Sequence, residues 1–149
     1  MKKGFLFKAV SFGLIVLMGM SAAGCAAKLS ETDISYAGPM VDNLLAGIKD
    51  SNYTEFSKDF TDTMKGALNQ DNFDALVTML QTKIGDYQSR SFSGASATTQ
   101  NNTNIMVVVY KAKYTKETGD VVITVSFSDN NGIKQIAGFY LNSPNLQKQ

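Results

Sequence analysis

Residues 71–97 read DNFDALVTMLQTKIGDYQSRSFSGASA, and the spacing of their apolar residues changes halfway along. The first half repeats apolar residues every three or four positions, which predicts a helix that begins at Asp71-Asn72. Gly85 follows this helix where a left-handed C-terminal cap is needed. From Asp86 onward apolar and polar residues alternate, which is typical of β-strands. The predicted buried face of the helix consists of Phe73, Leu76, Val77, Leu80 and Ile84.

Two further helices are predicted upstream of this segment. The first covers about residues 33–49, because a capping-box pattern at residues 30–33 precedes apolar residues at helical spacing. Pro39 lies inside it, so the helix either kinks there or begins there, and a start near Ser35 is favoured. The second helix is expected to be interrupted or capped again near Thr61. Its apolar stripe consists of Phe56, Phe60, Met64, Ala67 and Leu68.

The rest of the chain has the pattern of an antiparallel sheet. Hairpin turns are predicted over residues 116–119 and 129–132, the second with a strong Asn-Gly signal, and residues 98–104 are predicted to form a polar loop. The fold class predicted is α+β, with three N-terminal helices packed on a curved four-stranded antiparallel sheet. The four predicted strands cover residues 87–97, 104–114, 120–128 and 133–141.

The N-terminus has the three parts of an export signal: a basic start, an apolar run over residues 9–20 and small residues before Cys25. The run Ala22-Ala23-Gly24-Cys25 resembles the bacterial lipobox, in which signal peptidase II cuts before a cysteine that carries a diacylglyceryl group. The resemblance implies a lipoprotein held by Cys25 on the outer, extracytoplasmic face of a membrane. The alternative is an uncleaved membrane-spanning helix, which the shortness of the apolar run disfavours.

This interpretation divides the chain into four segments. They are a signal peptide over residues 1–24, a lipidated tether over residues 25–32, one folded domain over residues 33–142 and a C-terminal tail over residues 143–149.

Composition excludes several classes of function. The chain has no histidine, which excludes histidine-based nucleophile systems and histidine-ligated zinc. The near-neutral net charge predicts no nucleic-acid partner, because nucleic-acid binding needs a strong positive field. Cys25 is the single cysteine, so no disulfide can form within the chain. No cofactor is predicted.

The order and lengths of the predicted elements resemble the cone-shaped α+β fold of nuclear transport factor 2, ketosteroid isomerase and scytalone dehydratase. Within that superfamily the chain is similar to a family of uncharacterised domains found in bacterial lipoproteins and beside exported hydrolases. The resemblance implies a ligand site between the helices and the concave face of the sheet, but packing and turn positions indicate fold rather than function. The positions that carry it include Asn52-Tyr53-x-x-Phe56, Ile84-Gly85-x-Tyr87 and residues 133–138.

Three tyrosines, Tyr87, Tyr110 and Tyr140, are candidates for the mouth of such a pocket. Tyr110 and Tyr140 are the best of them, because each lies in the middle of a strand and a buried hydroxyl needs a partner. The alternative is that all three belong to the hydrophobic core.

A possible partner surface is predicted on the other face of the sheet. Alternation places Ile105, Val107 and Val109 on one face with Lys111 and Lys113, which are costly to bury unpaired. We therefore expect this face to point away from the helices and to form an apolar patch able to pair two copies of the chain. The alternative is that strand twist and the polar loop cover the patch within one chain.

The leading functional hypothesis is a non-catalytic module that binds a small ligand or an unknown envelope protein at the membrane surface. The alternative is a small cone-fold enzyme, an isomerase, dehydratase or hydrolase accessory, that uses a tyrosine and a carboxylate such as Asp62 or Asp86. The acid pairs Asp59/Asp62 and Asp71/Asp74 are explained by their places near helix starts. The sequence therefore predicts no catalytic residue and no metal ligand.

Overall fold

The structure, a computed structural model, describes residues 29–148, and helices form the first part of this range. Pro39 lies in the first turn of the first helix, where a missing N–H group removes no helical hydrogen bond, so it does not kink the helix. The first helix predicted therefore exists, but it begins at Ala37 rather than near Ser35. A 3₁₀ turn, Glu31–Ile34, precedes α1 (Ala37–Lys49), α2 (Tyr53–Ser57), α3 (Asp62–Ala67) and α4 (Gln70–Lys83).

The second predicted helix is divided into α2 and α3. Thr61 separates them, and its side-chain oxygen accepts a hydrogen bond from the Met64 N–H group at 3.2 Å. This satisfies an N–H group that has no partner inside α3, which is why the chain can start a new helix there. The interruption predicted near Thr61 is confirmed, and residues 29–148 contain four α-helices ahead of the sheet instead of three.

The end of α4 is where the sequence predicts it. Gly85 has a φ of +79° and its N–H group donates to the Leu80 carbonyl at 3.0 Å. A Cβ atom at this position would lie 2.1 Å from the Thr115 hydroxyl oxygen, so the close approach also requires glycine. Of the predicted buried face, Leu76 is only partly buried, whereas the remaining members, Phe73, Val77, Leu80 and Ile84, lie in the core.

Four antiparallel strands follow, and each is hydrogen-bonded to the next along the chain. The α+β class and the four-stranded antiparallel sheet are therefore as predicted. Irregular register occurs in the pairing of β1 with β2 and of β3 with β4, which bends the sheet locally. The strands are β1 (Tyr87–Gln100), β2 (Thr103–Tyr114), β3 (Val121–Asn130) and β4 (Ile133–Asn142), and a one-turn helix, α5 (Pro144–Gln147), comes after them.

The polar loop predicted over residues 98–104 is wrong. β1 and β2 continue to a two-residue turn, Asn101-Asn102, whose φ angles are +49° and +63°. Positive φ at both central residues is the mark of a type I′ hairpin turn, and asparagine adopts this conformation more readily than most residues. The Asn131-Gly132 turn between β3 and β4 has φ angles of +54° and +87°, which confirms the hairpin predicted there.

The helices cover one face of the sheet. Residues 108, 110, 112 and 114 of β2 are buried and Lys111 and Lys113 are exposed, so the alternation predicted for this strand is confirmed. The core joins these side chains to Ile123, Val125 and Phe127 of β3, to Phe60 between α2 and α3, and to the helical residues Val41, Leu44, Leu45, Phe56, Phe73 and Leu80.

The segment between α2 and α3 is fastened to the outer edge of β4. Thr61 donates its N–H to the Ile136 carbonyl at 3.0 Å, and Ile136 donates to the Asp59 carbonyl at 2.8 Å. These bonds satisfy part of an edge strand that otherwise exposes its backbone groups. Within residues 29–148 no helix has both the length and the apolar character needed to cross a membrane.

We expect Phe60→Ala and Leu80→Ala each to lower the free energy of unfolding by about 2–5 kcal/mol, because both side chains are fully packed. Urea unfolding measures the loss. Ile133→Ala is the matched control, since Ile133 is 64% exposed and its truncation should change stability by no more than about 0.5 kcal/mol. An unchanged unfolding midpoint in both core variants would contradict the assignment of these two side chains to the core.

Candidate functional site

A groove of about 760 Å³ lies between α3, α4, α5 and β4. Its wall on the helical side comes from α3 and α4, and Met79 of α4 is 42% exposed there although it is a large apolar residue. None of the residues that line the groove carries a formal charge at neutral pH. The lining is mostly apolar, and its largest aliphatic and aromatic members are Met64, Leu68, Leu76, Met79, Leu80, Phe139, Tyr140, Leu141 and Leu146.

The last described residues form one wall of the groove because α5 is bound to the turn between β2 and β3. Asn145 donates its backbone N–H to the Glu117 carboxylate at 3.1 Å and its side-chain amide to the Lys116 carbonyl at 2.8 Å. Ser143 caps α5 by accepting from the Leu146 N–H at 3.3 Å. These contacts hold Leu146 against the groove.

The amide side chains of the groove are already hydrogen-bonded within the chain. Gln147 donates to the Asn142 side-chain oxygen at 2.7 Å, and Asn72 donates to the Ala67 carbonyl at 2.9 Å. Such amides can still orient a ligand, but their hydrogen-bonding groups are already partly satisfied without one. The groove is therefore suited to an apolar ligand or to the apolar part of a larger one.

Tyr110 lies in the packed core beneath Arg90. Its ring is fully buried, and the Arg90 guanidinium carbon lies 4.4 Å from the ring centre, a cation–π contact. Burial raises the pKa of Tyr110 to about 12. The hydroxyl groups of Tyr110 and of Tyr114 are buried and have no hydrogen-bond partner among the described residues.

Arg90 also joins β1 to the start of the helical layer. It donates to both oxygens of Asp42, at 2.7 and 3.0 Å, and to the carboxylate of Glu31 at 3.1 Å. A fourth bond, of 3.0 Å, reaches the Gly38 carbonyl. Burial disfavours the charged guanidinium, but the bonds to Asp42 and Glu31 outweigh it and raise the pKa of Arg90. The cluster is a fully bonded structural contact between layers.

The three candidate pocket tyrosines do not meet in one cavity. Tyr87 is partly buried and packs against Tyr114, with ring centres 5.8 Å apart. Tyr140 pairs with Thr124 on the face of the sheet opposite to Tyr110 and is 51% exposed. Of the three, Tyr140 lies at the groove.

A bulge in β4 explains why the sequence places Tyr140 on the wrong face. Ile136 pairs with Phe127 and Gly138 with Ser126, so Ala137 is an extra residue in the strand. Ile136 faces the core, and after the bulge the core-facing residues are Phe139 and Leu141 instead of Gly138 and Tyr140. Strict alternation from Ile136 would have put Tyr140 in the core.

The outer face of the sheet carries the predicted partner surface. Ile105, Val107 and Val109 point away from the helices and are partly buried. Their neighbours are short, since Val107 lies between Ser96 and Ser126, so the three apolar side chains form a low ridge along β2. The structure contains a single chain and leaves pairing through this ridge a prediction.

The acids named for an enzyme and the possible acidic metal ligands lie within residues 29–148. Asp62 and Asp86, the two acids named above for an enzyme, are exposed. Residues 29–148 contain no group of three or more His, Cys, Asp or Glu side chains placed to hold a metal ion. Cys25 lies outside the described residues.

Residues 41–139 match a family model described as Protein of unknown function (DUF3887). No curated protein matches the sequence. Among solved structures, a match to Bdellovibrio bacteriovorus Bd1075 has 12% sequence identity and a TM-score of 0.45. That similarity covers 74% of this chain and 39% of the Bdellovibrio chain, and nothing about function follows from it.

We expect Tyr110→Phe to leave the free energy of unfolding unchanged at neutral pH or to raise it by up to about 1 kcal/mol, because it removes a buried hydroxyl that has no partner within residues 29–148. The unfolded chain loses the phenolic proton near pH 10 and the folded chain near pH 12, so stability falls as pH rises through this window. The free energy of unfolding of the variant should therefore fall less steeply than that of the unsubstituted protein as the pH rises from about 10 to about 12. Thermal denaturation at several pH values tests both effects, with the exposed Tyr140→Phe as control.

We expect the double substitution Val107→Lys and Val109→Lys to abolish self-association if the ridge pairs two copies of the chain, because four lysines would then face each other. Sedimentation of a form lacking residues 1–25 at several concentrations measures this, with Ile133→Lys as the matched exposed control. An unsubstituted form that stays monomeric at high concentration would refute pairing. A double variant that does not fold would show that the ridge is buried.

Proposed function

The chain belongs to the DUF3887 family, and we propose that it is a lipid-anchored extracytoplasmic protein whose domain binds a ligand or partner without catalysing a reaction. Two features support this proposal: the lipobox-like run that ends at Cys25 and the groove between α3, α4, α5 and β4. The first supports the location of the protein at a membrane. The second supports binding as its activity.

The observation that carries the binding activity is the absence of formal charge from the groove lining. General acid–base catalysis needs a side chain that can exchange a proton near the working pH, and nucleophilic catalysis needs an activated hydroxyl, thiol or amine. The polar side chains of the groove are amides and the exposed Tyr140. A concave, mostly apolar surface with a few orienting amides is typical of a binding site.

The arrangement of layers supports a cone-like domain of the nuclear transport factor 2 type. Helices cover one face of a four-stranded antiparallel meander whose bulges bend it. Tyr110 and Phe127 fill the space between the helices and the sheet, where enzymes of such a fold would hold a substrate. A filled interior favours binding at the outside of the cone.

One observation favours the alternative, a small cone-fold enzyme. The Tyr110 hydroxyl has no partner among the described residues, and its ring lies against Arg90, which pairs with the carboxylates of Asp42 and Glu31. Two physical facts oppose it: the ring is fully buried, and its pKa of about 12 keeps the phenol protonated at neutral pH. A proton-transfer role would need both facts to change, so binding is the better-supported function.

The membrane anchor explains how the domain would work. A cysteine with two or three acyl chains stays on the membrane, because each buried methylene contributes about 0.8 kcal/mol. The proposed segments are a signal over residues 1–24 and a tether over residues 25–32, most of which lies outside the described range. A short tether would keep whatever the domain binds close to the lipid surface.

We expect Cys25→Ser to lose labelling by a lipid analogue and to leave the membrane fraction, because the variant has no site for the acyl chains. Membrane fractionation and metabolic lipid labelling are the two measurements. Ala26→Ser is the matched control and should keep both the label and the membrane location. A Cys25→Ser protein that is cut after Gly24 and still sediments with membranes at high salt would refute the anchor.

A further inference from the structure

The two ends of the groove differ in their polar groups. At the N-terminal half of α4 the lining includes Met64, Leu68 and one amide, Asn72, which is bonded to the Ala67 carbonyl. The C-terminal half of α4 adjoins α5, where the amide pair Asn142 and Gln147 lines the groove. The end beside α5 is therefore the more polar of the two and is called the polar end.

Lysines surround the polar end. The Lys83 ammonium donates to the Lys148 carbonyl, and the Lys148 ammonium donates to the Asn145 side-chain oxygen at 2.6 Å. Lys116 donates to the carbonyl of Gln81, in the last turn of α4, at 2.8 Å. All three ammonium groups thus gather where α4 ends beside α5.

Fewer acids than lysines lie near this end of the groove. None of them forms a salt bridge in the described part of the chain. Glu117 is the acid closest to α5 in the hydrogen-bond network, and its carboxylate accepts from the Asn145 N–H. The exposed Asp86 enters the network through backbone groups, which bond to Thr115. The polar end therefore carries more positive than negative charge.

We infer that the groove holds one acyl chain of an anionic phospholipid, with the phosphate at Lys83 and Lys148. The uncharged lining matches a hydrocarbon chain, and the lysines at one end match the charge of the head group. The exposed Met79 at the groove has a flexible, polarizable side chain that adapts to a chain of variable shape. The two ends thus match the two parts of a phospholipid.

The inference that the lipid comes from the membrane rests on the proposed membrane anchor. Residues 26–28 separate Cys25 from Leu29, the first described residue, so Leu29 stays within about 15 Å of the anchored cysteine. A domain held so close to a bilayer meets phospholipid at a high local concentration. This local concentration and the lysines at the polar end favour membrane phospholipid as the occupant, ahead of a partner helix or a second copy of this chain.

Photochemical labelling tests the inference on the full-length lipidated protein. The protein is reconstituted into phosphatidylcholine vesicles that contain phosphatidylglycerol, with a trace of either lipid carrying a diazirine near the end of one acyl chain. After illumination, mass spectrometry of peptides locates the label. We expect label on the peptides that contain Met79 and Leu146, and more of it from phosphatidylglycerol than from phosphatidylcholine.

Substitutions separate the acyl site from the head-group site. Met79→Glu places a charge in the groove and should abolish the label there, whereas Met79→Leu should retain it. Ile133→Glu is the matched control, because Ile133 is also an exposed apolar residue but does not line the groove. Lys83→Gln and Lys148→Gln should each lower labelling by phosphatidylglycerol by roughly fivefold and leave labelling by phosphatidylcholine unchanged.

Three results would overturn the inference: label spread evenly over the chain, label in the groove that Met79→Glu does not reduce, or a crosslink from the groove to a protein. The vesicle fraction is collected in the same experiment. Protein that stays on the vesicles but carries no label in the groove would refute the lipid site and leave the anchor intact. Protein that is recovered in solution, apart from the vesicles, would refute the anchor itself. Protease resistance of each variant confirms that it is folded.

Discussion

Phe56 contacts aromatic rings from three parts of the chain: Phe60 at 4.8 Å, Phe73 of α4 at 4.6 Å and Phe139 of β4 at 5.7 Å between ring centres. α1 comes so close to it that a Cβ atom on Gly47 would lie 2.4 Å from the Phe56 backbone nitrogen. In a chain whose single cysteine cannot form an internal disulfide, this packing joins the helices to the sheet. The positions of the other elements depend on it.

The groove follows from the same packing. Because Phe56 draws α2, α4 and the Phe139 segment together, the short α3 beside them leaves space that no side chain of the described residues fills. α5 then closes one side through its bonds to Lys116 and Glu117. At the opposite edge of the sheet, Arg90 bonds to Asp42 and Glu31 and covers the ring of Tyr110. The Arg90 edge is therefore closed over the core, whereas the β4 edge has the groove beside it, and a ligand in the groove would leave the core intact.

The sequence predicted more of the fold than of the site. The α+β class, the four strands and the face of β2 that meets the helices follow from hydrophobic period, and the structure agrees with them. The extent of β1 and β2 was not predicted, because Asn101-Asn102 looks like a polar loop unless its left-handed conformation is known. The groove was missed because its lining comes from residues between Met64 and Gln147, none of which forms a motif with its sequence neighbours. One signal in the sequence could have indicated the groove: Met79 is a large apolar residue of α4 that lies outside the predicted buried face of that helix.

The sequence by itself determined the features that depend on residues a few positions apart: the cap at Thr61, the end of α4 at Gly85, the Asn131-Gly132 turn and the alternation along β2. Short-range hydrogen bonds and steric limits on φ govern these features, and the local sequence contains both. Only the tertiary structure decided that a bulge at Ala137 turns Tyr140 to the outer face, and that Arg90 meets Asp42 and Glu31 above Tyr110. These features arise from contacts between residues that are distant in the sequence, and their free energy depends on how whole elements pack rather than on any local pattern.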